Sequence, residues 1–446
     1  MREFSHIAGR HAHTASPSQS TSLSEDAIYA RIAWRLIPFL FLCYIAAYLD
    51  RVNVGFAKLQ MQSDLKFSET VYSFGAGIFF IGYFLFEVPS NLLLERLGAR
   101  FWIARIMISW GVISAAAMFA RSAPVFYALR FLLGVAEAGF FPGIILYLTY
   151  FFPSKRRAGI VALFMMAIAV TGVIGGPISG WIMQHYQQSA GLRAWQMLFL
   201  LEGIPSVVIG FLVPFVLPNG IRSAKWLTED EKMILERNAR SEDEQKERLP
   251  LASVFTEPRI FLFSLVYFCC AGGLYVMGFW LPQLIKNTGV KDPLDIGFLT
   301  AIPYGLAAIS MVLLGISSDR TRERRWHFAF AAFLGAAGLV MTGVFAQSTG
   351  LAMVGLSLAA IGIISTFPLF WPMPAGILAG TAAAAGIALV NSIGNLGGFA
   401  APFAVGWLTD LTKRPAYGLY LMAAIMVLGG SLVLIFVPRK LPGDNV

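Results

Sequence analysis

The chain has 446 residues, of which 57% are hydrophobic and only 13% charged, with a mean hydropathy of +0.68. Soluble domains carry about 25% charged residues, so composition excludes an ordinary soluble globule and puts the chain among membrane proteins. A net charge of +9 could suit a polyanion, but its placement, described below, reads as topology and excludes nucleic-acid binding as its purpose.

Residues 1–30 are polar and Ser/His-rich, without the apolar core or cleavage site of a signal peptide. They are expected to form a disordered tail, in which His6, His11 and His13 read as solvated side chains and not as a metal site. Twelve apolar runs follow, at 34–56, 70–94, 101–120, 124–151, 158–184, 195–217, 258–286, 294–318, 326–346, 350–378, 384–408 and 415–437. Each is close to the roughly 20 residues that a helix needs to cross a bilayer, and too long and unbroken for a barrel strand. The expected fold class is therefore all-α and polytopic, with twelve transmembrane helices in two six-helix halves. The halves are 31–218 and 256–438, joined by a charged linker at 219–255 and followed by a tail at 439–446.

When successive loops are assigned to alternating sides, 23 Lys and Arg fall on the side of the termini and linker and 8 on the other, with Arg51, Arg130 and Arg259 in or at the edge of spans. Lys58 and Lys286 are among the eight. Such asymmetry follows the positive-inside rule and makes both termini cytoplasmic. The linker carries Glu/Lys and Glu/Arg pairs at helical spacing (Glu229/Lys232, Glu236/Arg240, Glu242/Lys246, Glu244/Arg248) and is expected to be a solvated helix. Cys43, Cys269 and Cys270 lie inside spans and read as small packing residues. The glycine-rich Gly172–Gly180 reads as a close helix contact.

The halves repeat. Glu95-Arg96, after the second run, recurs as Asp319-Arg320 after the eighth, and the Gly-rich stretch ending in Trp181 recurs before Trp407. Two matches at nearly the same offset indicate duplication, and twelve spans in two halves is the layout of carriers that rock around a central site.

On these features the chain resembles the major facilitator superfamily. The loop Gly315 to Arg325 follows that superfamily's G-x-x-x-D-R-x-G-R-R pattern, departing from it at Arg322 and Glu323; the first copy has Asn91 and Glu95 in place of Gly and Asp. Leu49-Asp50-Arg51-Val52-Asn53, Arg130 with Gly134 and Glu137, Phe279-Trp280-Leu281-Pro282 and Lys225-Trp226-Leu227-Thr228 are similar to the anion:cation symporter branch. The resemblance runs from about residue 30 to 437. It implies proton coupling by acids that match Asp50 and Glu137, and anion binding by the Arg that matches Arg51.

The residues support a bottom-up reading beside this. A charge at bilayer depth costs roughly 2.5–3.5 kcal/mol on insertion scales, so charges kept there mark function or a partner. Tyr44, Tyr48 and Arg51 share a helix face at i, i+4, i+7. The Arg51 fork suits a carboxylate, with the tyrosines binding its remaining oxygens; alternatively Arg51 pairs with an acid to hold the fold. Asp50 projects about 100° away. Arg130 and Glu137 share a face of the fourth span, where Arg130 either tunes an acid or serves as a structural partner. In the second half Tyr275, Trp371 and Asn391 are candidate substrate contacts, with Asn391 open to helix packing and Trp371 to apolar filling. Trp371, set between prolines, also suggests a broken tenth helix. The acid-Arg loops (Glu95, Arg96, Asp319, Arg320) read as ion pairs that bias conformational states, or as basic loops serving topology.

The expected function is secondary import of a small organic anion, such as a sugar acid, a tartrate-like hydroxy acid or an aromatic carboxylate. It would proceed with protons as coupling ion, without cofactor or metal, in a monomer surrounded by lipid in a bacterial inner membrane. A proton-coupled drug antiporter is the alternative, and no nucleophile–base or metal constellation supports an enzyme.

Overall fold

The computed structural model describes residues 18–189, 191–244, 257–377 and 380–438. Twelve helical spans long and apolar enough to cross a membrane follow one another: α1 (Glu25–Asp64), α2 (Glu69–Leu97), α3 (Ala99–Phe119), α4 (Ala123–Thr149), α5 (Gly159–His185), α6 (Ala194–Val216), α7 (Pro258–Asn287), α8 (Pro293–Thr321), α9 (Arg325–Val344), α10 (Thr349–Pro374), α11 (Gly386–Thr412) and α12 (Pro415–Phe436). Eleven of these lie within a few residues of the apolar runs, because a run bounded by Pro, Gly or charge leaves the helix little choice of ends. Beyond the helices, the described residues hold one two-residue antiparallel ladder, Gln188–Ser189 with Leu192–Arg193, in the turn before α6.

The first span is longer than expected. Its helix begins at Ser18, inside the stretch read as a disordered tail, and the span continues through a turn at Asn53 to Asp64. Ile28, Ile32 and Leu36 recur every four residues and are buried, so the polar extension is an amphipathic helix with one docked face. Arg31 pairs with Glu231, Asp26 with Arg156 and Glu25 with Arg237, while Tyr29 packs on Phe152. The extension thus lies against the linker helix Glu229–Glu244 and the turn before α5. His6, His11 and His13 lie outside the described residues, as do the linker pairs that use Lys246 and Arg248. Glu229 pairs with Lys232 as expected and Glu236 also meets Arg222, while the Arg240 side chain expected beside Glu236 lies outside the described residues.

Three seams join the halves. Along α2 and α11, Thr70 meets Asp410, Gly406 faces Ser73, Gly398 faces Phe80, and Glu87 meets Asn391. On α2 that covers 17 residues, about 26 Å. Along α5 and α8, Gly176 and Gly297 approach so closely that a Cβ on either would lie about 2.5 Å from the other's carbonyl oxygen (2.6 and 2.5 Å). This places the glycine-rich segment of α5 in a helix contact, the use expected of it. In the third seam the outer part of α1 lies against α7, where Lys286 Nζ donates to the Leu59 carbonyl at 2.7 Å. These contacts close the end of the molecule opposite the linker, called the far end below.

Candidate functional site

Asp50 and Arg51, adjacent in sequence, diverge as the helical 100° step requires. Asp50 turns into the first half: it accepts hydrogen bonds from Trp110 Nε1 at 3.1 Å and Ser114 Oγ at 2.7 Å on α3, and from Ser206 Oγ on α6. Three donors around one buried carboxyl satisfy its lone pairs without a cation in contact. Arg51 turns toward the junction of the halves. Its guanidinium pairs with Glu137 of α4, donates to the Tyr275 hydroxyl of α7 at 2.6 Å, and lies over the rings of Phe79 and Tyr83 of α2. Four helices from both halves therefore converge on one buried cation.

Arg130 does not share this ion pair. It donates to the backbone carbonyls of Ala76 (3.1 Å) and Arg51 (3.4 Å), tying α4 to α1 and α2. Glu137 reaches Arg51 because α4 packs directly on α2 at Gly134, where an added Cβ would stand 1.9 Å from the Phe79 carbonyl oxygen. Gly139, with φ +84, then breaks the helix just after Glu137.

The remaining candidates spread around this centre. Tyr48 is buried with its hydroxyl unpartnered, and Tyr44 stacks on Phe164 with ring centroids 4.6 Å apart. Trp371 marks the break between the helices Thr349–Phe370 and Pro372–Ile377, as its flanking prolines suggested, and packs on Tyr267 at 4.8 Å. The amide of Asn391 is engaged by Glu87 at 2.8 Å, and Ser392 donates to the same carboxylate at 2.5 Å. Glu95, Arg96, Asp319 and Arg320 are exposed at the linker end. Asp319 pairs with Arg324 of its own loop at 2.8 Å, not across the halves.

Sequence reasoning passed over three buried charges. Glu87 on α2 and Glu202 on α6, the latter bonded by Ser179 at 2.6 Å, are single acids in apolar runs. Like Asp50, each is a charge at bilayer depth and so marks function or a partner. Lys58, counted above as a loop charge, is a correction: it is buried within α1, since the span runs on to Asp64. No cluster of three or more metal-ligating side chains occurs among the described residues.

Residues 40–402 match the family profile described as Major Facilitator Superfamily. The chain belongs to that superfamily. Over 417 residues it is 48% identical to a putative metabolite transport protein, NicT, of Pseudomonas putida, covering 93% of this chain and 95% of that one. It is 47% identical to a putative tartrate transporter of Agrobacterium vitis (92% and 95% covered) and 38% identical to a quinolone resistance transporter of Acinetobacter baumannii (91% and 94% covered). Among solved structures, a D-xylose–proton symporter superposes with a TM-score of 0.72 at 16% identity, covering 92% of this chain and 98% of that one. At that identity the likeness speaks for the fold alone. The protein is thus a multi-pass membrane transporter of a small molecule and not an enzyme.

Proposed function

We propose that the protein imports a small organic anion together with protons, by alternating access, and that Arg51 is the anion's principal contact. The observation that carries this reading is the Arg51–Glu137 pair at the meeting of the two halves. A guanidinium already seated on a carboxylate has the geometry to seat another. Glu137 and a substrate carboxylate then compete for the same donors. A proton on Glu137 removes its charge and releases Arg51 to the anion, so anion and proton load together. Asp50 is the second proton-carrying acid, held in a separate nest of hydroxyl and indole donors. Tyr275 and Tyr48 offer hydroxyls to the anion's remaining oxygens, and Tyr44, Trp371 and Asn391 line the route. Protons are the coupling ion and no cofactor takes part.

The names of the Agrobacterium relatives favour a hydroxy acid of the tartrate kind. The positive-charge asymmetry supports a cytoplasmic linker and termini with the far end outside, and the bacterial relatives support an inner-membrane location. Each chain holds a whole site and works as a monomer in lipid. The exposed acid-Arg loops at the linker end bias the exchange between states.

A drug antiporter is favoured by one observation, the 38% identity to the quinolone resistance transporter. Reconstitution separates the two. With tartrate, gluconate and benzoate as substrates, an inwardly directed proton gradient drives accumulation of at least one by the wild type. The double variant Asp50→Asn/Glu137→Gln exchanges that anion without accumulating it. Full proton-driven accumulation by the double variant refutes the coupling; efflux of a fluoroquinolone without uptake of any anion establishes the antiporter.

A further inference from the structure

Seven residues beyond Arg51 on α1, and hence about 10 Å nearer the far end on the same helix face, lies a second buried cation. The Lys58 side chain has 0% exposure, and its ammonium lies 2.6 Å from the Glu69 carboxylate. It also sits 3.4 Å from the ring centre of Trp280 and 4.7 Å from that of Tyr72. Trp280 is on α7, five residues beyond Tyr275, which meets Arg51. Arg51 and Lys58 thus face two aromatic residues of one helix in the second half, one pair above the other. Above Lys58 the path is closed by Lys286 on the Leu59 carbonyl and by Asp410, which accepts from the Glu69 and Thr70 backbone at 3.2 and 2.7 Å.

The lids and Trp280 come from the second half, whereas Lys58, Glu69 and Tyr72 all belong to the first. Separation of the halves at the far end therefore carries Trp280, Lys286 and Asp410 away and leaves Lys58 on the wall of the opened route. Its partner Glu69 is already 22% exposed, so Glu69 can turn to water and be replaced. Burying a lysine is costly, and a span that served only to pack would do better with an apolar side chain.

We propose that Lys58 is a second anion station on the far-end route to Arg51: as the halves part there, its ammonium exchanges the Glu69 carboxylate for a carboxylate of the incoming substrate. The ligand class is an organic carboxylate, which then passes one helix face inward to Arg51. This inference rests on the anion-import reading and adds a residue to it.

The test uses right-side-out and inside-out membrane vesicles with radiolabelled tartrate, gluconate and benzoate. Lys58→Met raises KM for entry from the far end by about tenfold, the loss of one charge-assisted contact. It leaves the maximal rate within about twofold and KM for entry from the linker end unchanged. Lys58→Arg restores most of the far-end affinity, and Glu69→Gln leaves far-end KM equal to or below the wild-type value, because the internal competitor is gone. If Lys58→Met and Glu69→Gln raise KM alike, the pair is a structural lock and the proposal fails. An unchanged far-end KM in Lys58→Met overturns it as well, while uptake that still requires Arg51 leaves the parent reading standing. Failure of the wild type to take up any of the three acids overturns the parent reading and this one together.

Discussion

Replacing Glu137 by Gln tests the competition at the centre of the mechanism. In the wild type, an anion that approaches Arg51 must displace the Glu137 carboxylate, which holds one arm of the guanidinium while Tyr275 holds the other. A hydrogen bond to a charged group contributes about 1.5–3 kcal/mol and a neutral one about 0.5–1.5 kcal/mol. Exchanging carboxylate for amide thus weakens the internal competitor by about 1–1.5 kcal/mol, or roughly five- to tenfold in anion affinity. The sign follows from protonation: acid removes the Glu137 charge, so the wild type binds its anion more tightly at pH 5 than at pH 7.5. Glu137→Gln binds at pH 7.5 nearly as the wild type does at pH 5, with a flattened pH profile. The empty variant melts lower, since Arg51 keeps its buried charge without a counter-ion, and its anion-induced gain in melting temperature is correspondingly larger. Calorimetric titration at both pH values, with melting curves alongside, measures each quantity. A variant with the wild-type pH profile, or one that binds no anion at either pH, refutes the reasoning.

Two further substitutions separate chemistry from packing. Arg51→Lys keeps the charge but loses the planar fork, so transport affinity falls by about tenfold or more while membrane insertion is normal; unchanged KM in uptake assays contradicts the assignment. Gly134→Ala puts a methyl about 1.5 Å inside ordinary contact with the Phe79 carbonyl. It forces α2 and α4 apart at a cost of about 1–3 kcal/mol, and it moves Glu137 away from Arg51. A lowered melting temperature and weakened pH dependence are expected. In contrast, Gly315→Ala, whose added Cβ meets nothing within 4 Å, leaves both within error in the same melting assay.

The fold was legible because a bilayer leaves few choices: an apolar run of about 20 residues must satisfy its backbone within itself. The exception was the start of α1, where the preceding Ser, Glu and Asp residues mask the four-residue spacing of Ile28, Ile32 and Leu36. Its docking partners, Glu231 and Arg237, lie some two hundred positions away. At the site, the divergence of Asp50 and Arg51 could be read from helix geometry alone. That Arg51 meets Glu137 and Tyr275 could not, because the contact depends on how closely α4 approaches α2 and on where α7 of the other half lies. Arg130 shows the same limit. Its seven-residue spacing from Glu137 put both on one face, yet a guanidinium can reach a backbone carbonyl as readily as a carboxylate, and here it takes two carbonyls. Lys58 was misplaced for a simpler reason: its polar neighbours Gln60, Gln62 and Ser63 resemble a loop, although the helix continues to Asp64.

The central claim, that Arg51 receives an organic anion, is tested most directly by the melting temperature of the purified protein across tartrate, sugar acids and aromatic acids at pH 5 and pH 7.5, in the wild type and in Arg51→Ala. A ligand that binds the folded state raises its stability by mass action. Stabilisation by one class of acid, stronger at pH 5 and absent in Arg51→Ala, is the predicted result. Stabilisation by lipophilic cations and by no anion, or an anion effect that survives Arg51→Ala undiminished, would contradict it.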